Sequence, residues 1–531
     1  MSNSLPYFSA IIVGAGPTGL ALGNLLGAYG LDALIIERNT GLCSEPRAIS
    51  LDDEGLRVCQ AMGLAQEVSA HLLYDLEAHY LSGRNLLARV RPDGRQNGFP
   101  LISTFHQPTF ESTLLAGLQR FPSITLQFGS SLEAFSPGPE HVVVSVRGPD
   151  GEVQQMACAY LLACDGAKSA VRKALKLSMQ GTTYAQRWLV IDSINDPDTS
   201  TVLRFFCNPA RPAVTIPAPD RRRRWEFMLL PGEYEEKLLR PETMRTLIRQ
   251  VGGTPLPRIT RSAVYTFHAA TARTFQVGRV FLLGDAAHLM PPFGGQGLNC
   301  GLRDAHNLAW KLHLVLQGLA HPDLLATYTQ ERQAHARQMI KFSRLLGAVI
   351  MPTAPLIAEI RDAIFGLINA LPIARTHLSQ AAIKPAPRYK QGFFLRGSNR
   401  ANRSLAGRML PQPEISTLGG PRQLLDDLLG SSFSLLRLNS AEPQPFAEIE
   451  GQAIWHRLGT HLLAVGSEVR AALATHEDLF VLVRPDRYIY AAFRPEQAAL
   501  FADAYEKSLN RTNRSSTNCS EASAKISRSI D

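Results

Sequence analysis

The sequence predicts an α/β protein, α+β overall, that opens on a βαβ unit. Three observations predict this. An apolar run, Ala10-Ile11-Ile12-Val13, meets a glycine-rich turn and a helical stretch, and a second apolar run follows. Two later segments, at 161–172 and 278–299, repeat the order strand, Gly/Asp turn, helix start. Finally, 531 residues with 45% hydrophobic and 19% charged content describe a soluble chain of two to four domains.

The first unit carries Gly14-Ala15-Gly16-Pro17-Thr18-Gly19 directly after its strand, a helical run through Tyr29, and a second strand at 33–36 ending in Glu37. That is the context a dinucleotide fingerprint needs. Gly14 makes the tight turn, Gly16 admits a pyrophosphate, and Gly19 lets helix and strand pack closely. Glu37 is spaced to bind ribose hydroxyls, with Arg38 beside it. The unit alone does not separate FAD from NAD.

Arg47 follows Pro46 and precedes an acidic helix start at 52–54, where a guanidinium can reach a pyrophosphate or instead flank the helix. Gln107 opens another helical run; its amide can bind a cofactor or simply cap the helix. Asp165-Gly166 turns the chain out of the apolar run 161–163. In 278–299, Gly284-Asp285 and Pro292-Phe293-Gly294-Gly295-Gln296-Gly297-Leu298-Asn299 lead into a helix. Its apolar stripe runs through Leu298, Leu302, Ala305, Ala309, Leu312 and Leu316, with Arg303, Asp304 and Lys311 off the stripe. Such a helix start offers free N–H groups to an anion, whereas the plain reading is an ordinary connection.

Taken together, these three motifs resemble those of the single-component flavoprotein aromatic hydroxylases, over about residues 8–340. Pro46-Arg47-Ala48-Ile49, Ala163-Cys164-Asp165-Gly166, Trp188-Leu189-Val190-Ile191-Asp192 and Arg224-Trp225-Glu226-Phe227-Met228 resemble the branch acting on 3-(3-hydroxyphenyl)propanoate. The loop at 291–297 departs from that branch, which leaves flavin binding intact but opens the question of substrate. The resemblance implies FAD held by Gly14, Gly16, Gly19, Glu37, Arg38, Arg47, Gln107, Asp165, Gly166, Gly284, Asp285, Pro292, Gly295, Gly297, Leu298 and Asn299. It implies NAD(P)H and O2 as co-substrates, a flavin C4a-hydroperoxide, and ortho hydroxylation of a 3-hydroxyphenylpropanoate-like acid. A larger polycyclic or polyketide phenol, or a flavin-binding protein without turnover, are the alternatives. Tyr265 and His268 are the candidates for activating the phenol, against a structural role for the histidine. Arg204, Arg211 and Arg224 are the candidates for a substrate carboxylate.

The implied domains are a FAD-binding part at 1–180 and a substrate-binding sheet domain at 181–275. The second FAD-binding part occupies 276–345 and a helical connector 346–395. A thioredoxin-like domain follows at 396–508, then a disordered tail at 509–531. No Cys lies between 301 and 518, so the thioredoxin-like part has packing or oligomerisation to do, a homodimer included, and not dithiol chemistry. Seven scattered cysteines without metal-ligand spacing argue for reduced thiols, a cytoplasmic protein and no metal. The first 37 residues contain no Lys or Arg, so the apolar N-terminus reads as strand and helix, not as a signal peptide. The charge of +9 forms no stripe interleaved with aromatics, so nucleic acid is not an expected partner. No membrane partner is expected either, because the apolar stretch 345–358 is short and broken by Pro352 and Pro355. Four tryptophans (188, 225, 310 and 455) form no WxW pair, which disfavours flavin halogenation.

Overall fold

The computed structural model describes residues 5–92, 94–95, 97–253, 257–374, 384–395, 400–415, 422–438, 461–465, 467–475 and 478–510. The predicted βαβ unit is present as Tyr7–Val13, the helix Pro17–Ala28 and Ala33–Glu37. These strands belong to an eight-stranded sheet whose parallel centre runs Val280–Leu282, Val153–Ala163, Tyr7–Val13, Ala33–Glu37, Ile124–Phe128. Ile11, Ile12, Leu34, Ile35, Leu161 and Leu162 are all fully buried, as strands covered on both faces must be.

A second eight-stranded sheet runs His288–Leu289, Arg258–Ala272, Met179–Ile194, Arg222–Met228, Ala213–Ala218, Val202–Phe206, Glu77–Ser82, Asn85–Val90. Its last two strands come from inside the stretch assigned at sequence level to the cofactor-binding part. Glu77–Ser82 pairs in parallel with Val202–Phe206, so the chain enters the second sheet about a hundred residues earlier than expected. Alternation divides this sheet cleanly. Leu189, Ile191, Trp225 and Phe227 pack under the helix Pro241–Gln250, while Trp188, Val214 and Met228 face Phe293 and Ile350 from the cofactor side.

The helix predicted from the apolar stripe spans Gln296–Leu316 and is central. Arg303, Asp304 and Lys311, which lie off the stripe, are buried as well. The stretch 345–358, expected as core helix or loop, splits between the helices Ala326–Ile350 and Pro355–Ala370 with a break between them, and Leu345, Leu356 and Ile357 are exposed. The connector boundary at 345 therefore falls inside a continuous helix. Among the described residues no single helix is long and apolar enough to cross a membrane, although the bent pair Pro322–Ile350 and Pro355–Ala370 meets that test by length and composition.

Toward the C-terminus a four-stranded sheet runs His461–Val465, Ser434–Leu438, Leu479–Val483, Ile489–Phe493, its first pair parallel and the others antiparallel. The helix Ala498–Leu509 packs on it. The parallel crossover at 439–460 and the tail at 511–531 lie outside the described residues. This unit is bolted to the cofactor-side helices by buried charge. Arg484 donates to Glu331 at 2.7 and 2.9 Å, Lys311 to Glu331 at 2.7 Å, and Arg57 to Asp426 at 2.6 and 2.7 Å.

Candidate active site and cofactor cleft

Three motifs leave the first sheet at one level. Val13 is in register with Ile36 and Ala163, and Ala163 with Leu282. Gly14, Glu37, Asp165 and Gly284-Asp285 therefore all lie at or just past the carboxyl ends of neighbouring parallel strands, where such sheets bind ligands.

The glycines divide into two kinds. Gly14, at φ +103°, and Gly19 are required by packing: a Cβ would lie 2.6 Å from the Cys164 carbonyl oxygen in one case and 2.0 Å from that of Gly14 in the other. At Gly16, Gly166 and Gly297 a Cβ would meet no protein atom within 4 Å. Close packing does not explain these three, and open backbone beside a helix start suits a bound pyrophosphate. Glu37 accepts from the Ala15 N–H at 2.9 Å and from the Asn39 N–H at 3.0 Å, which fixes its carboxylate beside the glycine turn. Arg38 is exposed next to it.

Arg47 is held by its backbone and left free at its side chain. Gln107 accepts from the N–H groups of Arg47 and Ala48 at 2.7 and 2.6 Å, and donates to Glu111 at 2.7 Å. Gln107 therefore positions the Arg47 loop; its amide oxygen is already used. Arg224, paired with Asp192 at 2.7 Å, donates to the carbonyls of Arg47 and Pro46 at 2.7 and 2.8 Å. The Arg47 guanidinium has no hydrogen bond or ion pair among the described residues, and it acts electrostatically on Asp285. Burial pushes the Asp285 carboxyl up, with His288 and Arg47 opposing. Asp285 nevertheless keeps an open surface, as a group on the wall of a narrow cleft does. Asp165 takes the Val171 N–H at 3.2 Å with one oxygen, while its other oxygen is buried without a partner.

The far wall is the start of the helix Gln296–Leu316. Gly295 precedes it at φ +61°, where a Cβ would overlap the Ser50 hydroxyl, and its N–H donates to the Pro292 carbonyl at 2.9 Å. The first-turn N–H groups, including those of Gly297 and Leu298, have no intrahelical acceptor. The Asn299 side chain is spent on stapling: it accepts from the Asp52 N–H at 3.0 Å and donates to the Gly295 carbonyl at 2.8 Å. Leu298 packs against the main core. His288 and Asp304, bonded at 2.6 Å, support the turn, because Asp304 also accepts from the Gly284 N–H at 3.0 Å and from Arg332 at 2.7 Å. An unpartnered Arg47, an orphaned Asp165 oxygen and three open glycines along one cleft fit an extended, doubly anionic dinucleotide.

The two residues expected to activate a phenol are separated by alternation. Tyr265 stands opposite Trp188 on the face toward Phe293, but its hydroxyl is engaged by Arg261. His268 follows Phe267, which packs on Trp188 and Phe293, so it points away from that face; its Nδ1 bonds Thr183 at 2.9 Å. The arginines expected to meet a carboxylate are likewise committed: Arg204 to Asp198 at 2.6 Å, Arg211 to Glu233 at 2.8 Å, Arg224 to Asp192.

A family model described as FAD binding domain matches residues 7–343. The chain belongs to the FAD-dependent aromatic hydroxylases. A second model, HcaD C-terminal domain, matches 407–508. A 3-(3-hydroxy-phenyl)propionate/3-hydroxycinnamic acid hydroxylase of Burkholderia vietnamiensis is 37% identical over 510 residues, 91% of this chain and 93% of that protein. A protein of the same description from Escherichia coli is 36% identical over 91% of this chain and 92% of its own. Among solved structures, the flavin-dependent monooxygenase PieE with FAD and substrate superposes with a TM-score of 0.81 at 23% identity, over 95% of this chain and 99% of that one. Aklavinone-11 hydroxylase with FAD and aklavinone gives 0.78 at 24%, over 94% and 98%.

FAD is therefore the cofactor of this chain, and it supplies redox chemistry when bound. The residues along the cleft fit it, with the Pro17–Ala28 helix start as the candidate seat of its pyrophosphate. Arg47→Ala is expected to weaken flavin binding by about ten- to a hundredfold, the loss of one charge-assisted contact worth about 1.5–3 kcal/mol. Titration of the stripped protein with FAD checks this; unchanged affinity would place the pyrophosphate elsewhere.

Proposed function

We propose that this hydroxylase uses NAD(P)H and O2 to add one oxygen atom ortho to the hydroxyl of a 3-hydroxyphenylpropanoate-like acid. The observation that carries the reading is the pairing of the flavin cleft with an aromatic wall. Phe293, three residues before the helix start, packs edge-on against Trp188 and Phe267 at 5.7 and 6.1 Å between ring centroids. Such a wall offers a phenyl ring stacking and edge contacts, and it keeps water from the oxygen-transfer step. The names of the relatives, which span nearly the whole chain, supply the substrate class.

The Gly16 and Gly297 backbone, Arg47 and Asp285 hold the cofactor in this reading, and the N–H groups after Gly295 face the negative edge of the reduced ring. The C-terminal unit is read as thioredoxin-like from its strand order; without Cys between 301 and 518 it serves packing or a homodimer contact in place of dithiol chemistry.

The test is a yellow protein whose NAD(P)H oxidation is stimulated by 3-(3-hydroxyphenyl)propanoate, with stoichiometric incorporation of one atom of labelled O2. Polycyclic phenols run in parallel. Faster turnover of those would move the substrate class, and NAD(P)H oxidation without oxygenated product from any phenol would remove the hydroxylase reading.

A further inference from the structure

The candidates that sequence reading offered for taking the phenol proton are engaged or turned away, yet the same sheet face carries a carboxylate that nothing uses. Glu226 lies in the strand Arg222–Met228, between Arg224, which grips the Pro46 and Arg47 carbonyls, and Met228, which packs in the cluster with Trp188 and Phe293. Alternation puts all three on one face. Its cross-strand partners are Val190 on one side and Val214 on the other. Glu226 is 7% exposed, and among the described residues its carboxylate makes no hydrogen bond and no ion pair. Most buried carboxylates in this chain are paired: Asp52 with Arg303, Glu331 with Arg484, Asp426 with Arg57. Glu226 is largely buried, but its oxygens are not among the buried atoms left without a partner, so they open onto accessible space where a ligand's hydroxyl can reach them.

Resting on the hydroxylase reading above, we propose that Glu226 is the base that binds the substrate's ring hydroxyl and takes its proton. The phenol O–H bond breaks, the proton passes to a Glu226 oxygen, and the electron pair stays on the phenolate. The ring then gives an electron pair from its ortho carbon to one oxygen atom derived from O2, with NAD(P)H as the electron source and the second oxygen leaving as water. Loss of the proton on that carbon to solvent restores the aromatic ring.

Two features suit the role. Glu226 sits between the flavin loop at 46–49 and the aromatic wall, so a ring lying against Trp188 and Phe293 can present its hydroxyl there. Burial also pushes the carboxyl up, with Arg224 opposing and Asp192 adding to the rise, which brings it toward the pH range in which a base must work. The other charged or titratable groups on this face are Arg261 and Tyr265, which flank Ala263 on the strand beyond Val190, with Glu45 paired to Arg261 at 3.5 Å.

Glu226→Gln keeps size and polarity and removes the base. With wild type hydroxylating the phenol, E226Q is expected to retain FAD and to be reduced by NAD(P)H, yet to form product about 100-fold more slowly, with oxygen diverted to hydrogen peroxide. Its residual product rate should climb with pH toward the phenol's own ionisation, whereas wild type levels off above the Glu226 pKa. Glu226→Asp should recover part of the rate with a shifted acid limb, and it carries the test alone should E226Q lose flavin. Wild-type product rate and pH profile in E226Q, or an unchanged profile in E226D, would overturn the assignment. Failure of wild type itself to hydroxylate any phenol removes the underlying reading instead, so the two failures are distinct.

Discussion

Replacing Glu331 by alanine is expected to destabilise the protein by about 3–5 kcal/mol, the penalty for leaving buried cations without their counter-charge. Glu331 accepts from Arg484, Lys311, Asn307 and the Phe393 N–H, all buried, so one substitution strands the Lys311 ammonium and the Phe393 N–H and leaves two cations, Lys311 and Arg484, to share what Asp486 offers Arg484. Burial alone would raise its carboxyl, but Arg484 and Lys311 outweigh this and bring it down to about 2. Lys311 in turn is lowered to about 8 because burial outweighs Glu331, so Arg484 does most of the neutralising.

The sign for pH follows. A carboxyl depressed on folding adds stability that is complete above its unfolded pKa, about 4.3, and is lost as pH falls through the folded value. The denaturation midpoint of wild type should therefore fall between about pH 4 and 2. That of E331A should start lower and respond less over the same window. A midpoint unmoved by E331A at neutral pH would show that the network contributes nothing net. Because Arg484 and Asp486 belong to the C-terminal unit and Asn307 and Lys311 to the helix Gln296–Leu316, whose start lines the candidate cleft, loss of flavin should accompany the loss of stability.

The glycine turns, the parallel strands and the helix at 296–316 were legible because their signals are local: a turn needs φ > 0, and a strand between two layers needs an unbroken apolar run. Less is legible where a partner distant in sequence decides. Arg303, Asp304 and Lys311 lie off the apolar stripe, which on a surface helix would leave them in solvent. Here each meets an opposite charge from another element, Asp52, Arg332 and Glu331 respectively, and the helix is buried all round. Gln107 and Asn299 belong to the motifs of the cofactor region, and their amides clamp the 47–48 and 50–52 backbones, a layer of support that periodicity cannot reveal. His268 and Glu226 depend on which face of one sheet each strand presents, and that is fixed by register across 183–268 and 190–226. Glu226 stood in a quoted motif, but no rule of spacing marks a carboxylate as unpaired.

Gly16 and Gly19, three residues apart, should respond to the same substitution in opposite ways, and the contrast locates the pyrophosphate. In Gly19→Ala the new methyl would lie 2.0 Å from the Gly14 carbonyl oxygen, a backbone atom that cannot rotate aside. The helix must move off the strand, at a cost of at least about 1–3 kcal/mol in stability, and the cradle goes with it. In Gly16→Ala the methyl enters space empty of protein atoms, at φ −74°, which any residue adopts. The apoprotein should keep its denaturation midpoint, and the methyl should instead collide with the cofactor. Flavin affinity is then expected to drop by roughly ten- to a hundredfold, the same 1–3 kcal/mol of overpacking charged to binding in place of folding. Full flavin occupancy with wild-type affinity in G16A would mean that the open space beside Gly16 is not where the phosphates lie, whatever the motif suggests. Equal damage to stability in both variants would mean that Gly16 is a packing glycine like its neighbours. Only stable protein that has lost its colour assigns that empty space to the cofactor.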